Sequence, residues 1–165
     1  MSVTGRSSSI TNAFINAIVP VIQPTLDEEL EALSILEIDC ADIRCAYCGD
    51  RHTEWDRLRP IISDPNPTGY ITEIANLVPS CGKSNQSKGQ SYGRTRMKGD
   101  AKLSPKSRGI ADLKERVARL QNYQAWGRSH KIDSAEEVGP EMWPRHRQNW
   151  RGVLRSPQDE SRTRK

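Results

Sequence analysis

Two half-knuckles frame the middle of this chain, and they constrain its fold more than any other feature. Cys45-Ala46-Tyr47-Cys48 opens the stretch, and Cys81-Gly82-Lys83-Ser84 closes it after the 32 residues 49–80. Two Cys-x2-Cys units brought face to face give zinc a tetrahedron of soft ligands. The ligand set expected here is Cys45, Cys48, Cys81 and Ser84, with serine where a fourth thiolate would complete the set. A serine hydroxyl stays protonated near neutral pH and lacks thiolate softness, so three thiolates with a water in fourth place are a second arrangement. Cys40 is a third source of a ligand if its segment folds back. The plain alternative is that the thiols pack as small apolar groups with no metal.

The rest of the composition explains why a staple is needed. Only 35% of the 165 residues are hydrophobic and there is one Phe. A core of that size is small, and small cores are commonly reinforced by a structural metal. Paired cysteines in a chain of this kind point to metal before disulfide. No apolar run approaches the ~20 residues that cross a bilayer. The first twenty residues hold only a short, weak apolar stretch, so no signal peptide is expected and the location expected is cytoplasmic.

Net charge is +4, but it is unevenly placed. Lys83, Lys88, Arg94, Arg96, Lys98, Lys102, Lys106 and Arg108 fall within one stretch, opposed by Asp100 alone. Such a block can track a phosphate backbone. It can equally be a solvated loop.

The coarse reading is α+β. Residues 1–24 are expected to be a flexible arm. Thr25-Leu26-Asp27-Glu28 has capping-box form, and Leu26, Leu30 and Leu33 follow at helical spacing, predicting a helix over about 26–38. A short strand is expected over 53–58, a Pro/Gly loop over 63–69, and extended chain over 70–79. A helix is expected from about 81 to 89, then a basic loop to 107. Ile110, Leu113, Val117, Leu120 and Tyr123 give a one-sided stripe that ends at Gly127. A further helix is expected from Pro140, burying Met142, Trp143, His146, Trp150 and Val153. The domains expected are 25–107, a helical extension over 108–155 and a disordered tail over 156–165.

The segments Trp55-Asp56-Arg57 and Asn76-Leu77-Val78-Pro79-Ser80-Cys81-Gly82-Lys83-Ser84-Asn85-Gln86-Ser87-Lys88-Gly89 resemble the HNH endonucleases. The likeness is to the bacterial branch of this ββα-metal class, in which a four-cysteine zinc site staples the core. It extends over most of residues 25–155. The resemblance implies a ββα-metal core, with a helix before it and a helical layer after it. It implies Asp56 and Asn85 as ligands of a catalytic Mg²⁺ or Mn²⁺, and Asn76 as the residue that orients the loop bearing the general base. It implies double-stranded DNA as partner, with phosphates held by Lys83, Lys88, Arg94, Arg96 and Lys98.

Four positions depart from the family pattern: Arg57, Ser84, Arg96 and Arg147. Arg57 matters most, because it stands where the family places its histidine base. Arginine is always protonated and offers no acceptor, so it cannot activate water. His52 lies five residues earlier, on the opposite face of an extended chain, and is a poor substitute. Two functions follow as expectations. One is a DNA-binding endonuclease whose cleavage is impaired. The other is a non-catalytic DNA- or partner-binding protein on the same scaffold. A purely structural protein is the third class.

Overall fold

The computed structural model describes residues 16–17, 19–63, 66–89, 91–133, 141 and 144–145. The chain divides into two units, Pro20–Lys131 and the two chain ends. Within the latter, Arg145 donates its backbone N–H to Glu141 at 3.0 Å. The rest of the helix expected from Pro140, with Met142, Trp143, His146, Arg147, Trp150 and Val153, lies outside the described residues, as does the tail.

Pro20–Lys131 is α+β. Helix α1 (Leu26–Ile35) starts at Thr25, where the capping box is formed in both directions. Its buried residues are Ala32 and Leu33, followed by the C-cap Leu36, whereas Leu26 and Leu30 are exposed. The expected leucine stripe is therefore inward-facing only at its C-terminal end. Pro20 and Ile22 of the expected arm exchange backbone hydrogen bonds with Thr72.

The central sheet is a two-stranded antiparallel ladder of β1 (Glu54–Arg57) with the strand Leu77–Ser80. Between them come a minimal hairpin, β2 (Ile62–Ser63) with β3 (Asn66–Pro67), and a 3₁₀ turn, Ile74–Asn76; Leu77–Ser80 is β4. Asp56 pairs with Val78 and Trp55 with Pro79. Proline has no N–H for a ladder, and here its carbonyl accepts from Ala46 outside the ladder at 2.8 Å. That bond docks the first knuckle on β4. Helix α2 (Gly82–Lys88) follows β4 with Cys81 as its N-cap. A short helix α3 (Gly93–Met97) occupies part of the expected basic loop. Met97 is its anchor, fully buried in a segment whose periodicity is too short to read from sequence.

Helix α4 (Leu113–Trp126) buries Val117, Leu120 and Tyr123, as the stripe predicts, and ends at Gly127. The core joins Leu36, Tyr47, Leu58, Val78, Met97, Val117, Leu120 and Tyr123 with the three knuckle thiols. Burying each of the larger side chains stabilises by about 1.5–3 kcal/mol. The Tyr123 hydroxyl donates to the carbonyls of Ile74 and Leu77, tying α4 to the 3₁₀ turn and β4. Trp126 Nε1 donates to Glu31 Oε1 at 2.8 Å, tying α4 to α1. Among the described residues no helix is long and apolar enough to cross a membrane.

Candidate metal centre

The first knuckle is a tight turn. Cys45 N–H donates to the Asp50 carbonyl and Gly49 N–H to the Cys45 carbonyl, both at 2.8 Å. Gly49 has φ +76°, a conformation side chains disfavour. The turn leaves Cys45 and Cys48 facing Cys81 at the start of α2. The ligand atoms of Cys45, Cys48 and Cys81 lie within 4.8 Å of one another, all three are buried, and together they can hold a metal ion. Cys48 and Cys81 sulfurs are 3.6 Å apart. Ser84 Oγ completes the group, donating to Cys48 Sγ at 3.3 Å and lying 3.5 Å from Cys81 Sγ. Cys40 is exposed and is not part of the cluster.

Hydrogen bonding from the Cys45 thiol lowers the Cys48 pKa against the opposing effect of burial, with help from Ser84, the Asp50 N–H and Arg108. The Cys45 thiol is pushed up, first by that shared hydrogen bond and then by burial. Arg108 is half-buried beside the turn and its Nη2 is 2.5 Å from Asp50 Oδ2. Helix α4 contributes Arg116, whose Nη1 donates to the Cys45 carbonyl at 3.2 Å. Neither arginine stands out in the sequence, because each is one of many.

Asp56 lies beside this staple, on the buried face of β1. Its side chain is 6% exposed. Tyr47, inside the first knuckle, donates its hydroxyl to Asp56 Oδ2 at 2.7 Å. Lys88, the last residue of α2, places Nζ 3.2 Å from Asp56 Oδ1 and is itself only 5% exposed. Lys88 also donates to the Gly89 carbonyl at 3.2 Å. Burial pushes the Asp56 carboxyl above its usual range, and Lys88 and Tyr47 only partly offset that. The Tyr47 hydroxyl is pushed well up, by burial first and then by the Asp56 charge. Asn85 is half-buried on α2, one turn before Lys88. The groups bonded to Asp56 are Tyr47 and Lys88, not Asn85.

The remaining candidates are dispersed. Arg57 is half-buried on the other face of β1 and its Nε donates to Thr72 Oγ1 at 2.7 Å. Burial lowers its pKa, with Asp56 opposing. Asn76 is fully buried and wholly used: Oδ1 accepts from the Arg59 N–H at 2.8 Å, and Nδ2 donates to the Arg59 carbonyl at 3.1 Å and the Ile71 carbonyl at 3.0 Å. It therefore fixes the chain just after β1 against the chain before β4. His52 packs edge-on against Trp55, with ring centroids 5.9 Å apart.

The basic block is not one surface. Lys88 is buried on Asp56. Arg94 Nη1 donates to Gln124 Oε1 at 3.0 Å, and Arg96 Nε donates to the Ser87 carbonyl. Lys106 is paired with Asp100 at 2.6 Å. Lys83, Lys98 and Lys102 are exposed. Of the cations expected to hold phosphate, Lys88 is thus buried against a carboxylate, while Arg94 and Arg96 are half-buried and each donates one hydrogen bond to a neutral oxygen within the fold.

Two further groups escape a sequence reading. Arg59 reaches three acceptors, the Ala75 and Gln124 carbonyls and Ser129 Oγ, at 3.1, 3.3 and 2.7 Å. Glu73, 6% exposed, accepts from the His130 N–H and pairs with His130 Nδ1, both at 2.6 Å. Apart from the Arg59–Ala75 bond, which spans 16 residues, these contacts span 57 or more residues of chain, and no local spacing announces them. Comparison of the chain with protein-family models, with curated proteins and with solved structures finds no match.

Proposed function

We propose that this chain is a double-stranded-DNA-binding protein on an HNH-type ββα scaffold, held by a structural zinc and lacking a working hydrolytic centre. The order β1, β4, α2 supports the scaffold, with Asp56 on the first strand facing the helix that directly follows the second. Cys45, Cys48, Cys81 and Ser84 fit zinc. Bound at ~2.3 Å, two thiolates of a tetrahedron stand about 3.8 Å apart. The Cys48–Cys81 separation of 3.6 Å is close to that edge. Ser84 is near enough to two of the sulfurs to take the fourth place or to hold a water there. When bound, zinc fastens the knuckle, β4 and the start of α2 into one piece.

The observation that carries the non-hydrolytic half of the reading is the Lys88–Asp56 pair. A hard divalent cation takes about six oxygen ligands and usually one or two carboxylates. Here a single buried carboxylate has one oxygen on Tyr47 and the other against an ammonium. The residues at Asp56 do not fit such a cation, and Arg57 supplies no base. DNA contact would fall to the exposed Lys83, Lys98 and Lys102, which position a duplex without reading its sequence.

Anisotropy with a labelled duplex of about 25 base pairs tests the binding half. Three phosphate contacts imply a slope of log affinity on log salt of about −2.7. Reversing all three lysines to glutamate removes that binding. Absence of salt-sensitive binding by zinc-loaded protein overturns the proposal. A supercoiled-plasmid nicking assay with Mg²⁺ or Mn²⁺ tests the other half. Neither the natural chain nor Arg57→His is expected to cut. The second reading, a cleaving endonuclease, is favoured by the presence of Asp56, Asn76 and Asn85 together, and cutting by the natural chain would establish it.

A further inference from the structure

We infer that Lys88 is a tethered cation: its ammonium holds the place at Asp56 that a hard metal ion would take, and removing it opens a divalent-cation site. Asp56 is nearly sealed from water, and a desolvated carboxylate needs a positive partner. Lys88 reaches it from the last position of α2, where the helix end also favours positive charge. Its ammonium sits between two oxygens, Asp56 Oδ1 and the Gly89 carbonyl, each at 3.2 Å. Carboxylate and carbonyl oxygens are the donors hard cations take.

Two cations cannot share this volume. Like charges a few ångströms apart in a poorly solvated site repel strongly. Mg²⁺ is therefore excluded while Lys88 is in place, whatever the bulk concentration within the millimolar range. Truncation of Lys88 leaves Asp56 Oδ1 and the Gly89 carbonyl facing a space that water and an ion can enter. Tyr47 keeps one carboxylate oxygen oriented, so the other remains available. Soft thiolates disfavour Mg²⁺, so the zinc staple does not compete for it.

The inference rests on the reading above, in which Lys88 and not a metal ion is the cationic partner of Asp56. Its readout is cation uptake, so it and DNA binding can fail separately. The full zinc-loaded chain is compared as wild type, Lys88→Ala and Lys88→Ala with Asp56→Asn. Thermal unfolding is followed with MgCl₂ up to 10 mM and with NaCl at matched ionic strength. Wild type should show no Mg²⁺-specific shift. Lys88→Ala should unfold at lower temperature and recover by about 3–6 °C in 10 mM Mg²⁺. The double variant should not respond. Spin resonance should count one bound Mn²⁺ per chain in Lys88→Ala and none in wild type. If Lys88→Ala does not fold, Lys88→Gln takes its place, since it keeps a donor to Asp56 but carries no charge. Absence of cation dependence in the variant that folds, or in both, overturns the inference. A double variant that responds like Lys88→Ala overturns it too, as does Mn²⁺ binding at Asp56 with Lys88 present.

Discussion

The Ser84 hydroxyl donates to the Cys48 sulfur at 3.3 Å. Serine is thus already in the fourth corner of the cluster, and replacing it with cysteine changes ligand chemistry without moving the backbone. Ser84→Cys should bind zinc on the order of 10–100-fold more tightly, because a thiolate replaces a neutral hydroxyl or water. Competition with a chromophoric chelator measures this directly. Chelator-stripped natural protein should unfold at lower temperature than the zinc-loaded form, since bound metal adds to folding stability. Equal zinc affinity in both chains would mean that the group at position 84 is not a ligand.

Asn76 uses all of its good hydrogen-bonding geometry on two loop segments. Asn76→Ala removes three bonds at a fully buried site and leaves Arg59 and Ile71 backbone groups unpaired. The expected cost is about 2–4 kcal/mol. Asn76→Asp should be at least as damaging near neutral pH, because it places a carboxylate where two carbonyls expect a donor. Urea denaturation of zinc-loaded protein gives both numbers. A loss below the spread of a surface substitution would show that the loop holds its shape without Asn76.

The hairpin-and-helix plan was legible because its signals are local. The capping box at Thr25, the two half-knuckles and the α4 stripe each lie within a few turns of chain. The α+β class and the three-thiol cluster followed from them. The occupants of the carboxylate site did not. Tyr47 reads as a filler between two cysteines, and its hydroxyl gains meaning only when β1 brings Asp56 beneath it. Lys88 reads as one more charge in a basic run. Only the length and direction of α2 decide that it ends inside the fold on Asp56 rather than outside on a phosphate. The Arg59 and His130 contacts depend in the same way on tertiary closure.

The exposed imidazole of His130 is held by buried Glu73. The hydrogen bond that the His130 ring donates to Glu73, and then the Glu73 charge, raises the His130 pKa above its usual ~6.5. A histidine whose pKa is higher folded than unfolded stabilises the fold fully below the unfolded value. That contribution is lost as pH rises through the folded value. Stability measured in urea should therefore decline from about pH 6.5 upward, by an amount that Glu73→Gln removes. Proton NMR of the imidazole should show the same variant titrating near the ordinary histidine value. An unchanged titration in Glu73→Gln would separate the pair.

Gly93 has no room for a side chain. A Cβ there would stand 2.7 Å from Leu58 Cδ1 and 2.9 Å from the Tyr47 hydroxyl oxygen. Both neighbours are buried core groups, and Gly93 N–H is already committed to the Leu58 carbonyl at 3.0 Å. Neither side chain can yield as the tip of a surface residue would. Gly93→Ala should therefore cost about 1–3 kcal/mol as overpacking. The strain has two outlets, and they differ in consequence. Displacing Leu58 only loosens packing, but displacing Tyr47 takes a hydrogen bond from Asp56 and leaves Lys88 as its one strong partner. A double-mutant cycle tells them apart. If Leu58 takes the strain, Gly93→Ala becomes nearly neutral in a Leu58→Val background, where the clashing methyl is gone. If Tyr47 takes it, Tyr47→Phe is the background that absorbs the cost. Because the Leu58 contact is the shorter, the larger coupling is expected with Leu58→Val. A substitution that costs the same in all three backgrounds would show that the helix α3 backbone moves instead.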